Sequence, residues 1–539
     1  MQNQLRHTGL WMAFCGLCGI VLLLFSGAPG QGAFDWSDAP RHALNGVFLL
    51  DFIHSGQWLH PVQFANDYYG QYPALTILLY PPLFYILSIP FYAIFGVSHS
   101  TALLVVFLHY VAFAIGAWSL FRFCLNAWEA FVAAVILITV PEIAYWGRQV
   151  MLEIPAFAFL IWSAVFFLRY RTSQRALHLY LCALLLLLSM YTKISTGFMG
   201  LVYALTLFND RRALLLRDRQ VWFAAVISLM MLVPLILMTL KFGQANVQSV
   251  VGINDAVVSR FSPAGWLWYL RQFPDQLGWP LTIAAGLMIC WSLVQRNWKG
   301  MPAHDQFFWT SWLVVGYLFF SAIDLKEARH DLFIFPPLIL AAVLFFKRCL
   351  PARIYSVSIT LLAGAVLIQT LVARPVHYVR GYAQAAQYIA SNAAPGGRVL
   401  FSGYRDGSFI FNMREQEQRR DISVIRADKL LLNVSIRREL GVTEHDLTER
   451  QINDQINQLG IQYLVIQPGF WNDLEVMRKF EHVLASGNFK VVAQIATPAN
   501  YSAHEKVLVI YKNLGKFNER PDRLGLNLPA IRRATPDRP

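Results

Sequence analysis

Charge is scarce in this chain. Only 14% of its 539 residues are Asp, Glu, Lys or Arg, against 56% hydrophobic, where a soluble protein carries about a quarter charged. That excludes an ordinary soluble globule for most of its length. Cysteine is scarce too: Cys15, Cys18, Cys124, Cys182, Cys290 and Cys349 all lie in or beside apolar stretches. None follows Arg374, so disulfides do not brace the C-terminal part. Cys15 and Cys18 have redox-pair spacing but sit inside the first apolar run and read as packing. The C-terminal part also lacks a glycine-rich phosphate loop and a nucleophile motif, and no internal repeat is visible along the chain. The formal charge of +13 has no aromatic-interleaved basic face behind it. The basic residues occupy short loops and the tail, so nucleic acid is not an expected partner.

What the chain has is hydrophobic runs. Stretches near 10–28, 101–121, 129–147, 154–169, 177–191, 194–208, 221–240, 278–294, 307–323, 332–346 and 354–372 can each cross a hydrocarbon core of about 30 Å as a helix. The expected fold class is an all-α polytopic membrane domain of about 11 transmembrane helices plus interfacial helices, with a C-terminal soluble α/β domain. The corresponding division is 1–375 membrane, 376–514 α/β and 515–539 disordered basic tail. The first run, Leu10–Gly27, reads as a retained anchor rather than a cleaved signal. Tyr80–Gly96 is apolar but carries Pro81, Pro82 and Pro90, and reads as a helix along the outer interface.

Orientation follows from Lys and Arg in the short loops. One set holds Arg122, Arg169, Arg171, Arg175, Arg211, Arg212, Arg217, Arg219, Arg296, Lys299, Lys347, Arg348 and Arg353. The other set is longer and poorer in cations. The dense set is therefore expected in the cytoplasm, with the C-terminal domain of this integral membrane protein outside. In that domain helices are expected at Tyr378–Ser391, Thr448–Leu459 and Asp473–Leu484. Strands are expected at Arg398–Ser402, Ile422–Ile425, Ile461–Ile466, Lys490–Ile495 and Lys506–Tyr511.

The chemistry-bearing residues gather in the outer loops. Asp35 precedes a segment in which Ser37 or Asp38 can cap a helix. Asp38, His42 and Asn45 then share a stripe with Arg41 adjacent, and Val47, Phe48 and Leu50 face lipid. An amphipathic surface helix is the plain alternative; Asp35, Asp38 and His42 as metal ligands is another. Arg148 and Glu153 flank the entry to an apolar span, where a charge is a functional candidate by default, or the two form an interfacial pair. Lys193 interrupts an apolar run and can snorkel. The last outer loop, Asp324-Leu325-Lys326-Glu327-Ala328-Arg329-His330-Asp331, is either a solvated connection or a place where a guanidinium grips a lipid phosphate.

These segments resemble the multi-spanning glycosyltransferases of the C-type (GT-C) fold that use lipid-linked sugars, including relatives of the protein O-mannosyltransferases and the aminoarabinose transferases of lipid A. Asp38-Ala39-Pro40-Arg41-His42-Ala43 stands where that family has an Asp-Glu pair opening an interfacial helix. Tyr80-Pro81-Pro82-Leu83-Phe84-Tyr85 matches its Pro-Pro pair, and Met151-Leu152-Glu153-Ile154-Pro155 its acidic residue before proline. Tyr191-Thr192-Lys193 and Arg329-His330 to Pro337 are similar to its Lys and Arg-aromatic-Pro segments. Ala39 in place of Glu and Tyr80 in place of Lys are departures.

The resemblance implies an inverting transfer from a polyprenyl-phosphate sugar to an acceptor hydroxyl on a glycan, lipid or protein. Asp38 and Glu153 would be the catalytic carboxylates and Arg329, Lys193 and His330 the donor-phosphate ligands. Asp35, Arg41, His42, Arg148 and Lys326 would support them, and a divalent cation, if used, would rest on Asp38, Glu153 and His42. A translocase of lipid-linked sugars is the main alternative, and a non-catalytic scaffold a further one.

Overall fold

The computed structural model describes residues 2–212, 217–243, 258–295, 303–434, 438 and 441–516. The expected disordered tail lies almost wholly outside them. The chain falls into two compact units. One comprises residues 1–28, 80–84 and 104–376, the other 29–79, 85–103 and 377–539. The first large loop, from Gly30 to about Ser100, thus clusters with the C-terminal domain except for Tyr80–Phe84.

Helices of the first unit sit at every expected span. Five are long and apolar enough to cross a membrane: His99–Phe121, Glu153–Ser173, Arg219–Phe242, Asp331–Cys349 and Ala352–Ala373. Gly9–Phe25, Ala176–Met190 and Trp279–Gln295 are apolar but shorter. The expected span at 129–147 is broken into Ala127–Thr139 and Pro141–Gly147, bent by 63°. Pro141 is the cause. It has no N–H for the helix ladder and drives the preceding Val140 to an extended ψ of 141°. With that pair as one span the count reaches six, so eleven helices of full spanning length and apolarity are not present among the described residues.

Close helix approach in this unit depends on small residues. A Cβ on Gly316 would meet Ile334 Cγ2 at 2.3 Å, so helix Ala303–Ser321 can pack against the Asp331–Ile334 turn only with glycine there. Trp309 and Trp312, both buried, stack at 5.7 Å beneath it.

The second unit contains a five-stranded mixed sheet. Its strands are β1 (Arg398–Ser402), β2 (Ser423–Arg426), β5 (Ile461–Ile466), β6 (Phe489–Ala496) and β7 (Val507–Asn513), in the order β2-β1-β5-β7-β6; β3 (Leu432–Val434) and β4 (Val442–Glu444) form a separate hairpin. β2, β1 and β5 are parallel, whereas β7 runs antiparallel to both β5 and β6. Helices Glu449–Gln458 and Glu475–Leu484 bury Ile452, Ile456, Val476, Met477, Phe480 and Val483 against one face, the i, i+3, i+4 stripe of an amphipathic helix. A helix absent from the sequence-based expectation, Asp406–Arg414, follows β1 and has all nine residues buried.

The first-loop helix Asp38–Ser55 belongs to this unit and is not the lipid-facing helix expected. Val47, Phe48 and Leu50 are buried, as are His42, Asn45 and Asp51. Phe48 packs edge-on against Tyr68, while Gly46 admits Tyr92, to which an added Cβ would come within 3.0 Å. Neither Ser37 nor Asp38 caps the helix in the expected way: Asp38 is its first residue, and the preceding Ser37 is helical (φ −60°, ψ −29°) with no side-chain bond to the helix.

Candidate functional site

In the first unit the chain ends of three helical elements converge on one carboxylate. Glu153 opens helix Glu153–Ser173, a favourable place for an anion at the helix N-terminus, and is only 1% exposed. Lys193 immediately precedes the turn Ile194–Gly197 and places Nζ 2.6 Å from Glu153 Oε1. Arg329, just before the turn Asp331–Ile334, places a guanidinium nitrogen 3.6 Å from the same oxygen and Nε 2.6 Å from Glu327 Oε2. The Arg329 guanidinium also lies over the Trp146 ring at 5.3 Å, and that indole donates to Glu142 Oε1 at 2.6 Å. The other oxygen of Glu153 is buried with no hydrogen-bond partner among the described residues.

Three residues distant in sequence thus form a carboxylate-centred cation pair. Glu153 fixes where both cations stand, and a phosphate brought to them meets one point charge and one planar fork. The neighbouring backbone ties two further motifs together: Leu83 N–H, after Pro81-Pro82, donates to the Tyr191 carbonyl at 3.0 Å.

Other expected members of this set are placed differently. His330 is a neutral ring: burial, with Lys193 and Arg329 beside it, pushes its pKa down to about 3, so it carries no positive charge for a phosphate. Lys326 lies over the Tyr269 ring at 5.6 Å and donates to the Phe320 and Ser321 carbonyls; burial lowers its pKa to about 8. Arg148 does not pair with Glu153. It is buried and donates to the carbonyls of Ala144 at 2.8 Å and Arg374 at 2.9 Å. Sequence reasoning missed Gln276, whose amide donates at 2.8 Å both to the Ala328 carbonyl and to Asp331 Oδ1, bracing the segment that carries Arg329. A polar residue inside an aromatic-rich amphipathic stretch was the only available signal.

In the second unit the first-loop residues are held by the α/β domain. Arg41 makes two bonds to Asp406, at 2.9 and 2.8 Å, and another to the Ser37 carbonyl, so the turn leading into Asp38 is tied to the start of helix Asp406–Arg414. Burial would raise the Asp406 pKa, but Arg41 and Arg426 outweigh it and lower it. Asp35 accepts from Tyr501 Oη at 2.8 Å and lies 3.2 Å from Arg405. His42 Nδ1 is 2.9 Å from Tyr85 Oη, both buried. Asp51, which sequence reasoning did not single out, receives two bonds from Arg414, at 2.8 and 2.7 Å, one from Arg420 at 2.7 Å and one from Tyr68 at 3.0 Å. Among the described residues no three His, Cys, Asp or Glu side chains stand together as metal ligands.

Residues 80–238 match the family of dolichyl-phosphate-mannose-protein mannosyltransferases, a segment that contains both Glu153 and Lys193. ArnT from Cupriavidus metallidurans bound to undecaprenyl phosphate superposes with a TM-score of 0.62 at 14% identity, covering 95% of this chain and all of that one. The chain has the GT-C fold of membrane glycosyltransferases. The apo form of ArnT gives 0.61 at 14% identity, with 96% and 100% coverage. The oligosaccharyltransferase of Archaeoglobus fulgidus in its apo form shares the GT-C fold more distantly, with a TM-score of 0.57, 12% identity and coverage of 93% and 76%. No curated protein matches the chain by sequence.

Proposed function

We propose that this GT-C protein is a lipid-phosphate-sugar-dependent glycosyltransferase, moving a sugar from a polyprenyl-phosphate donor to an acceptor hydroxyl on the extracytoplasmic face of the membrane. The observation that carries the reading is the convergence of Lys193 and Arg329 on the buried Glu153. An isolated charge at the mouth of a span is costly, and this group is compensated within itself, Glu153 and Glu327 against Lys193 and Arg329, with two cations gathered where a phosphate would need them. The distribution of loop cations supports a cytoplasmic N-terminus and an outer C-terminal domain. No observation favours the translocase, which calls for polar groups spread through the bilayer depth and for repeated halves.

In the proposed step Asp38 accepts the acceptor's hydroxyl proton as its oxygen attacks the anomeric carbon. The bond from that carbon to the phosphate oxygen breaks, and its electron pair leaves with the polyprenyl phosphate. A single displacement inverts the anomeric centre. Lys193 and Arg329 balance the charge that grows on the leaving phosphate, and Glu153 is the positioning residue that holds them. Membranes carrying the wild-type chain should transfer label from a polyprenyl-phosphate sugar. Asp38→Asn membranes with equal amounts of protein should not. Near-normal transfer by Asp38→Asn would remove Asp38 from the mechanism.

A further inference from the structure

Resting on that reading, which leaves the acceptor open, we infer that a cavity in the second unit is a saccharide subsite: it takes an uncharged, hydroxyl-rich sugar ring of the acceptor.

The cavity, of about 300 Å³, lies at the carboxyl end of β1. The loop leaving Ser402 supplies Tyr404 and Arg405, the first-loop turn supplies Ser37, and the segment before β7 supplies Tyr501, Ser502 and Glu505. This is the topological switch of the sheet. From β1 the chain crosses outward to β2 and later returns to β5 on the other side of β1, and crevices at such points are where open α/β sheets take ligands. The crevice is held open by Gln467, just after β5. Its N–H donates to the Ser402 carbonyl at 2.8 Å, and its side-chain oxygen accepts from Tyr404 N–H at 3.1 Å.

The lining decides the ligand class. Both guanidiniums are already engaged, Arg41 by Asp406 and Arg405 by Asp35 and Glu505. The three lining carboxylates are thus balanced by Arg41, Arg405 and, behind the wall on Asp406, Arg426, and the cavity makes no demand for a phosphate or a carboxylate ligand. What it presents are serine and tyrosine hydroxyls, the lone pairs that the carboxylates keep beyond their arginine pairs, and aromatic faces. Tyr404 is 46% exposed, braced edge-on by Phe470 at 4.9 Å, and Tyr501 is stiffened by His377 stacked at 4.4 Å. The volume falls at the small end of the about 300–1,000 Å³ range of ligand pockets, which suits a ring rather than an extended chain. Ser37, on its wall, is the residue before the proposed base, and the Arg41 bond to the Ser37 carbonyl ties that wall to Asp406.

The test uses the purified full-length protein, with glucose, galactose, mannose, N-acetylglucosamine and maltose as probes, titrated into the millimolar range by ligand-observed NMR. Glucose 1-phosphate is the anionic control. At least one neutral probe should bind saturably. Tyr404→Ala, which removes an exposed ring, and Ser502→Trp, which fills the cavity from an exposed position, should each weaken it by about tenfold or more. Glu153→Gln should leave it unchanged. Binding by none of the neutral probes, undiminished binding in both cavity variants, or binding of the anionic control alone would each overturn the subsite. A protein that binds neutral sugars here but transfers none would overturn only the transferase reading; one that transfers but binds none would overturn only the subsite.

Discussion

Arg329 shows how one residue can combine several weak constraints. Its guanidinium is bonded to Glu327, faces Glu153, lies over Trp146 and sits on a segment pinned by Gln276. A planar group so confined would lose little freedom on meeting a phosphate, as proposed, whereas a lysine at that position would keep the charge and lose the fork. Arg329→Ala is expected to lower kcat of sugar transfer on the order of 10² to 10³-fold, the usual effect of removing one group that stabilises transition-state charge. Arg329→Lys should recover only part of that. Steady-state kinetics with donor varied would check it, and an unchanged kcat for Arg329→Ala would move the leaving group elsewhere. Glu415 makes a second residue-scale case. Burial raises its pKa to about 7 from an ordinary 4.5. The folded chain then holds a proton that the unfolded chain has released, so this group's contribution to stability falls as pH rises from about 4.5 to 7. Glu415→Gln should flatten the loss of Tm across that window, measured by thermal melts at a series of pH values; an unaltered slope would show the carboxyl to be freely solvated.

At the scale of elements, what was legible is what has a period or a run. Apolar stretches announced the helices of the first unit, and the i, i+3, i+4 stripes of 449–458 and 475–484 announced two helices of the α/β domain. Helix Asp406–Arg414 was not legible because all nine of its residues are buried, which erases the polar face that gives a helix its period. The simple span expected at 129–147 is two helices because Pro141 breaks the ladder. The helix Asp38–Ser55 was assigned a lipid face because its apolar side had no visible partner in the sequence. Its apolar partners are Phe64, Tyr68 and Tyr92 of the same loop, and its polar side is tied to the α/β domain by the Asp51–Arg414 contact, which spans 363 positions, a distance no local pattern reports. That pair is buried on both sides, with Arg414 and Asp51 side chains 1% and 2% exposed. Removing Asp51 leaves the buried Arg414 with only the exposed Glu417 and takes the acceptor from Tyr68 and Arg420, at a cost of about 3–5 kcal/mol. Asp51→Ala should therefore lower the Tm of the full-length protein by several degrees, and an unchanged melt would show the contact to be dispensable.

At the scale of the whole molecule, the candidate site was legible in its parts and not in its assembly. Glu153, Lys193 and Arg329 stand out because charge beside apolar spans is rare, and the structure brings those three together. Which of the remaining polar residues serve the fold was hidden. Arg148 bonds carbonyls, Asp35 and Arg41 are engaged by arginine and aspartate of the α/β domain, and His330 is neutral. The most direct measurement is mass spectrometry of envelope glycans from cells lacking this protein, complemented with the wild-type chain or with Asp38→Asn or Arg329→Ala. One sugar substituent should disappear in the deletion and return only with the wild type. Unchanged glycans in the deletion, or full restoration by either variant, would contradict a transferase built on these residues.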